Sequence, residues 1–398
     1  MMARAQLYKT ALAAAALLGA AATASALDFG ALLTNDSTFT GNKADALVLD
    51  QKDAASAWLR VPFNKAGTAY FAAEGLYQFE RNPINISADK DDVGDAENAS
   101  AIDVDLAKLS ASFGAGSGTL TLAGGRFSTA DVSGVIYNQN ADGAFVGYES
   151  PVLSASVYGA YTGLLNARTV SMLDDVTEED TEKLYQLATK YVVTTATLSL
   201  PNLVASQTLT AQFLGTFRLE DDSYNRLYAA LALNGPLARQ LFYSASSTLG
   251  ICMYDGDTDL SNLTKASLSL YTGAKGLALT ATGVYASGEQ GPFKAFTGFT
   301  SQTAVKALSG RTEYTGLAKG GLAASVKPVA TVLVVLSGDA IFDAADSSVS
   351  YEGFQWQASA NWQIASDVSV CASAYQYRDK DNSYRDKSCV DFYAAIAF

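Results

Sequence analysis

The chain has 398 residues, a formal net charge of −13, no histidine and three cysteines, and 49% of it is apolar. The acidic balance argues against nucleic-acid binding, which needs a basic surface to neutralise phosphates. The lack of histidine removes Ser-His and Cys-His nucleophile pairs, histidine acids and histidine metal ligands, so no enzyme, metal centre or cofactor is expected.

The amino terminus reads as an export signal. Arg4 and Lys9 form a basic region, Ala11 to Ala22 an apolar one, and Ala24-Ser25-Ala26 a cleavage site. Residues 1–26 are expected to be removed and 27–398 to form one domain. After Ala26 no apolar run is long enough for a membrane helix, and the longest, Val329 to Leu336, has strand length. A chain that enters a bilayer without helices must close its hydrogen bonds between strands, which means a barrel.

Alternating runs follow at 27–33, 54–63, 69–80, 101–113, 118–127, 143–150, 152–161, 187–200, 205–219, 224–234, 238–250, 264–273, 277–287, 311–327, 329–342, 351–364, 367–378 and 387–398. Short connections, such as Gly114–Ser117 and Pro328, alternate with long ones at 34–53, 81–100, 128–142, 162–186, 251–263, 288–310, 343–350 and 379–386. Short periplasmic turns and long outer loops behave this way in transmembrane barrels. The expectation is an all-β, antiparallel up-and-down barrel of 16–18 strands. The first run and the long 311–327 run are the weakest members. Acidic clusters at Asp89–Glu97 and Asp174–Glu182 read as solvated loop tips, which could also gather divalent cations that bridge lipopolysaccharide.

The run from Tyr351 to Ile364 shows the pattern most cleanly. Phe354, Trp356, Ala358, Ala360 and Trp362 share one face, and Gln355, Gln357, Ser359, Asn361 and Gln363 share the other. Aromatics near both ends of the apolar face suit lipid-facing girdles, and the amides suit a wet wall. The last segment, Lys387 to Phe398, puts Val390, Phe392, Ala394, Ile396 and Phe398 on one stripe.

Sixteen to eighteen strands enclose an aqueous lumen, because side chains cannot fill so wide a barrel. Charged and amide residues on the polar sides of the runs are therefore pore-lining candidates: Arg60, Glu74, Asp103, Asp105, Arg218, Glu220, Arg226, Arg311, Glu313, Gln355, Gln357 and Asn361. They either shape a transverse field that orients solutes or are ordinary solvated charges paired with neighbours. Arg126 shares parity with Leu120 and Leu122, so either Gly124-Gly125 resets its face or it lies at the outer rim. Loop 288–310 carries Phe293, Lys294, Phe296 and Phe299, and either folds in as a constriction or covers the rim. The acidic loop 162–186 reads as outer-surface decoration. Cys371 and Cys389 lie on neighbouring runs and are candidates for a disulfide, with free thiols as the alternative.

The signal, the eighteen runs, the short-turn and long-loop order and the terminal Phe398 together resemble outer-membrane porins of the Gram-negative type. The layout is most similar to eighteen-stranded substrate channels, the OprD-like and alginate-export-like barrels. The resemblance implies outer-membrane location, contact with lipid and lipopolysaccharide, and insertion by the barrel-assembly machinery through the Phe398 ending. It also implies passage of small polar solutes and ions. Only eleven arginines are present, so the arginine ladders of such families have no residue-by-residue match. Two further readings stay open: a transporter of hydrophobic solutes or lipids, for which 28–53 would supply the plug, and an adhesin acting through its outer loops. Oligomeric state is not legible.

Overall fold

The computed structural model describes residues 27–398 apart from 43–46, 86–96, 168, 171, 174–185, 221–224, 255–256, 274, 290–292, 301–313, 347 and 381–386. The export signal, the acidic clusters at the tips of 81–100 and 162–186, Arg311 and Glu313 lie outside the described residues.

Eighteen strands run in chain order: β1 (Asp28–Asn42), β2 (Leu47–Pro62), β3 (Ala69–Asn85), β4 (Glu97–Ala115), β5 (Gly118–Ala130) and β6 (Asn138–Glu149). They continue as β7 (Ser154–Tyr161), β8 (Tyr191–Leu200), β9 (Thr208–Arg218), β10 (Asn225–Ala238), β11 (Leu241–Tyr254) and β12 (Asp257–Tyr271). The last six are β13 (Ala278–Ala286), β14 (Leu317–Val329), β15 (Val332–Asp343), β16 (Ser350–Gln363), β17 (Val368–Asp379) and β18 (Lys387–Ala397). Each pairs antiparallel with its sequence neighbours, and β1 pairs with both β2 and β18, which closes the sheet.

The period-two alternation dictates this wall. Leu122, Val146, Phe213, Leu231, Leu322, Trp356 and Phe392 stand outward and exposed, as a lipid-facing surface requires. Their alternating partners face inward, where Ser56, Gln78, Gln212, Thr248 and Gln355 are buried. Closure is tight at the junction of β1 and β18. Phe398 donates its amide to Ala31 O at 2.9 Å, and Ala31 donates back to Phe398 O at 3.2 Å. Gly30 lies beside this exchange. A Cβ there would meet the Trp58 ring at 2.7 Å and the Phe398 carbonyl at 2.8 Å.

Two expected loops are mostly strand. Segments 34–53 and 251–263 extend the ladders, with β1 reaching Asn42, β2 starting at Leu47, β11 reaching Tyr254 and β12 starting at Asp257. The apolar stripe ends before the hydrogen-bonded ladder does, so alternation alone stops short. Polar pairs such as Asn35 Nδ2 to Asp53 Oδ1, at 2.6 Å, continue the pairing beyond it. Because 28–53 belongs to β1 and β2, it supplies no plug.

Register also separates the two cysteines. Cys371 lies opposite Tyr393 and Cys389 opposite Tyr375, so the two are offset by four positions along their strands, roughly 13 Å. A disulfide needs Cα atoms within about 7 Å. Neither cysteine forms a disulfide, and nor does Cys252.

Candidate functional site in the barrel lumen

Three connections turn into the barrel and pack together. They are 131–137 after β5, the described residues of 162–173 after β7, and those of 287–300 after β13. In the first, Asp131 accepts the backbone amides of Ser133, Ile136 and Tyr137 at 2.7 to 2.9 Å and so holds a compact turn. Phe299 and Thr300 donate their amides to Ile136 O at 2.9 and 2.8 Å, and Leu173 donates to Phe299 O at 2.9 Å. The acidic loop after β7 is thus not only surface decoration: Thr162, Leu165 and Asn166 are buried, and Met172 bridges to Thr300.

The side chains of this knot are aromatic. Phe296 and Phe299 are 1% and 0% exposed and share one cluster with Phe127, Ile136, Tyr137, Tyr158, Tyr191 and Tyr228. The Tyr191 and Phe299 rings meet edge-on with centroids 4.9 Å apart. Burying such rings on the inner face of a wide barrel removes them from lumen water and narrows the passage.

Wall residues anchor the knot through its backbone. Arg226 on β10 donates to Gly298 O at 3.0 Å and to Leu173 O at 3.3 Å, and Tyr228 donates to Thr297 O at 2.7 Å. Lys265 on β12 donates to Ser133 O at 2.7 Å, while Gln212 on β9 accepts the Val132 amide at 2.8 Å. Turn carbonyls and amides that enter an apolar cluster must find partners, and these side chains provide them.

The other pore-lining candidates spread around the wall. Arg60, near the short-turn end of β2, donates to Gly67 O at 3.2 Å and lies 4.1 Å over the Tyr70 ring. Glu74 is half-buried on the inner face of β3. Asp103 is buried and ion-paired to Arg126 at 2.7 Å, and Asp105, beside the bulge in β4, accepts from the Asn140 amide. Arg218 lies opposite Tyr191, and Glu220, beyond the end of β9, pairs with Lys190 at 2.8 Å. Gln355 is buried between Asp339 and Tyr377. Gln357 is half-buried opposite Ser337 and Tyr375, and Asn361 is exposed opposite Leu333 and Cys371. In loop 288–310, Phe293 is half-buried, while Lys294 is exposed, donates its amide to Leu260 O and lies 3.9 Å from Glu289. The candidates therefore form no single ring; Arg226 meets Phe296 and Phe299 at the knot, and Asp103 meets Asp105 at the Arg126 seam.

Sequence reasoning passed over Lys265, Asp131, Tyr137 and Tyr228. Their inward parity was readable for the strand residues, but their partners are turn carbonyls far away in sequence. Arg126 is also clarified. Gly125 adopts φ +111°, yet β5 keeps its register with β6 through Arg126 and Asp142, so the face is not reset; the Arg126 side chain is buried in its ion pairs instead.

No protein-family model matches the chain, and no curated protein matches it. Solved structures do match in fold. The outer-membrane protein OpdK of Pseudomonas aeruginosa aligns with a TM-score of 0.61 at 11% identity, over 93% of this chain and 99% of its own. OccK2 (OpdF) of the same organism gives 0.62 at 12%, over 94% and 97%, and OpdQ gives 0.59 at 12%, over 94% and 98%. At such identities the likeness is one of fold: a closed eighteen-stranded outer-membrane barrel.

Proposed function

We propose that the protein is an outer-membrane channel for passive or substrate-biased diffusion of small polar solutes and ions. The observation that carries this reading is a closed wall with an apolar outside and a polar inside, narrowed by loops that fold into its lumen. The outer-membrane proteins it resembles in fold include OpdK, which has been solved with vanillate, a small organic solute. The lumen narrows but keeps inward charges of both signs, among them Glu74, Lys108, Lys319 and Asp339. Such a lining orients polar solutes and sets ion preference.

In this reading 1–26 directs export, the outward stripe meets lipid and lipopolysaccharide, and Phe398 serves the barrel-assembly machinery. The protein has no catalytic role. The test is single-channel recording on refolded Leu27–Phe398 in a planar bilayer, with reversal potentials under a salt gradient. Stable steps with a cation-leaning reversal support the reading. A silent bilayer from protein proved folded by heat-modifiable gel migration refutes it.

A further inference from the structure

The closed wall has one stretch where its backbone ladder is interrupted. Pairing between β4 and β5 stops at Ala107 and Arg126, although β4 continues to Glu97 and β5 to Ala130. On its other side β4 stays paired with β3 as far as Glu97. A residue's N–H and C=O point to the same side of a strand, so Ile102 and Val104 present theirs toward the missing part of β5. Side chains take its place. Asn166 donates to Ile102 O at 3.1 Å, Arg126 donates to Val104 O at 2.9 Å, and Asp103 Oδ1 accepts the Val104 amide at 2.8 Å.

Arg126 is the centre of this closure. It also pairs with Asp103 and Asp142, each at 2.7 Å, and donates to Leu164 O at 2.8 Å. Thr169 Oγ1 donates to Asp103 at 2.5 Å from the same inward-turned loop. The lips of the break are greasy on the outside, where Val104 and Leu164 are 49% and 53% exposed. Directly inside lie Phe127 and Leu106, the edge of the aromatic knot. The exposed apolar rim and the apolar interior are thus separated by Arg126 together with the buried Leu165 and Asn166 of the inward-turned loop.

A continuous ladder would close this wall without burying ions, which is costly unless every group stays paired. An ion-paired closure differs in one respect: its partners can be exchanged. A solute bringing its own acceptor can replace the Leu164 carbonyl or the partly exposed Asp142 on Arg126. It cannot replace a strand. We propose that the break between β4 and β5 is a lateral opening, latched by Arg126, through which an amphipathic solute with an apolar body and a carboxylate head passes between lumen and outer leaflet. This route goes beyond diffusion of polar solutes along the barrel axis.

The test joins the two lips. Arg126 holds the carbonyls of both Val104 and Leu164, whose side chains are exposed, so Val104→Cys with Leu164→Cys, with serine at the three native cysteines, gives two thiols that a short bis-methanethiosulfonate can span, a bridge that locks the loop onto β4 and leaves Arg126 and its carboxylates in place. Entry of pyrene-dodecanoate is followed in a porin-deficient Gram-negative host, and potassium chloride conductance is recorded on the purified protein. Cross-linking is expected to cut probe entry about tenfold, as locking a gate does, and reductant to restore it, with conductance unchanged. Arg126→Gln, checked for folding by gel migration, is expected to raise entry. Probe entry that ignores the bridge, that falls in step with conductance, or that is absent in the reduced protein overturns the proposal. Loss of ion conductance in the unmodified chain would instead strike the diffusion-channel reading, so the two failures are separable.

Discussion

Gln212 on β9 and Gln355 on β16 look alike in sequence: each is an inward amide in an alternating run, and each is almost fully buried. Their surroundings differ. Gln212 faces the knot, donating to Thr197 and accepting from the turn after β5. Gln355 lies on the side of the barrel formed by β14–β18 and β1–β3, between Asp339 and Tyr377, and Tyr377 belongs to a smaller cluster. Among the described residues the larger aromatic knot therefore lines one side of the barrel, and a smaller cluster, built mainly from wall residues with Tyr314 against it, lines the other. Alternation builds both sides; the loops decide which is which.

Substitutions can sharpen or break this contrast. Phe299→Ala should have the largest effect, since emptying a fully buried aromatic site costs about 3–5 kcal/mol. Denaturant titration of the folded barrel should show that loss, with larger single-channel steps as the knot loosens. Arg226→Ala should cost about 3 kcal/mol, because charge-assisted bonds to two buried carbonyls disappear. It should also widen the steps. If either change leaves conductance untouched, the knot does not narrow the passage.

Gly30→Ala comes next, at about 2 kcal/mol from overpacking against Trp58 and the Phe398 carbonyl. Its readout is slower closure and weaker heat-resistant migration with unchanged steps, because it lies far from the knot. Gln357→Ala, half-buried and outside the larger knot, should stay within about 0.5 kcal/mol of the parent. It should alter only the ion preference, read as a small shift in reversal potential. A destabilisation there as large as that of Phe299→Ala would erase the distinction between the two sides.

The wall was legible because lipid outside and water inside force period two on every strand. The eighteen runs read from that period all match strands, from Asp28 to Ala397. Boundaries were legible only as far as the apolar stripe, so 34–53 looked like loop where Asn35 and Asp53 carry the ladder onward. The knot was not legible. Phe296 and Phe299 were readable as residues able to fold inward, but their partners, Ile136, Tyr191 and Tyr228, lie on other strands and turns. Nothing in a local pattern fixes which turn carbonyl Arg226 will meet. The cysteine pair failed for a related reason: shared parity says that two residues face one way, whereas register decides whether they are opposite.

The measurement that tests the central claim most directly is the single-channel conductance of the refolded chain compared with that of a Phe299→Ala, Arg226→Ala double variant. Both must first be shown to be folded by heat-modifiable migration. Stable steps in the parent, and steps about twofold larger or more in the variant, are the predicted result, since the inward knot then limits an otherwise open lumen. Equal steps, or a parent that forms none, would contradict it.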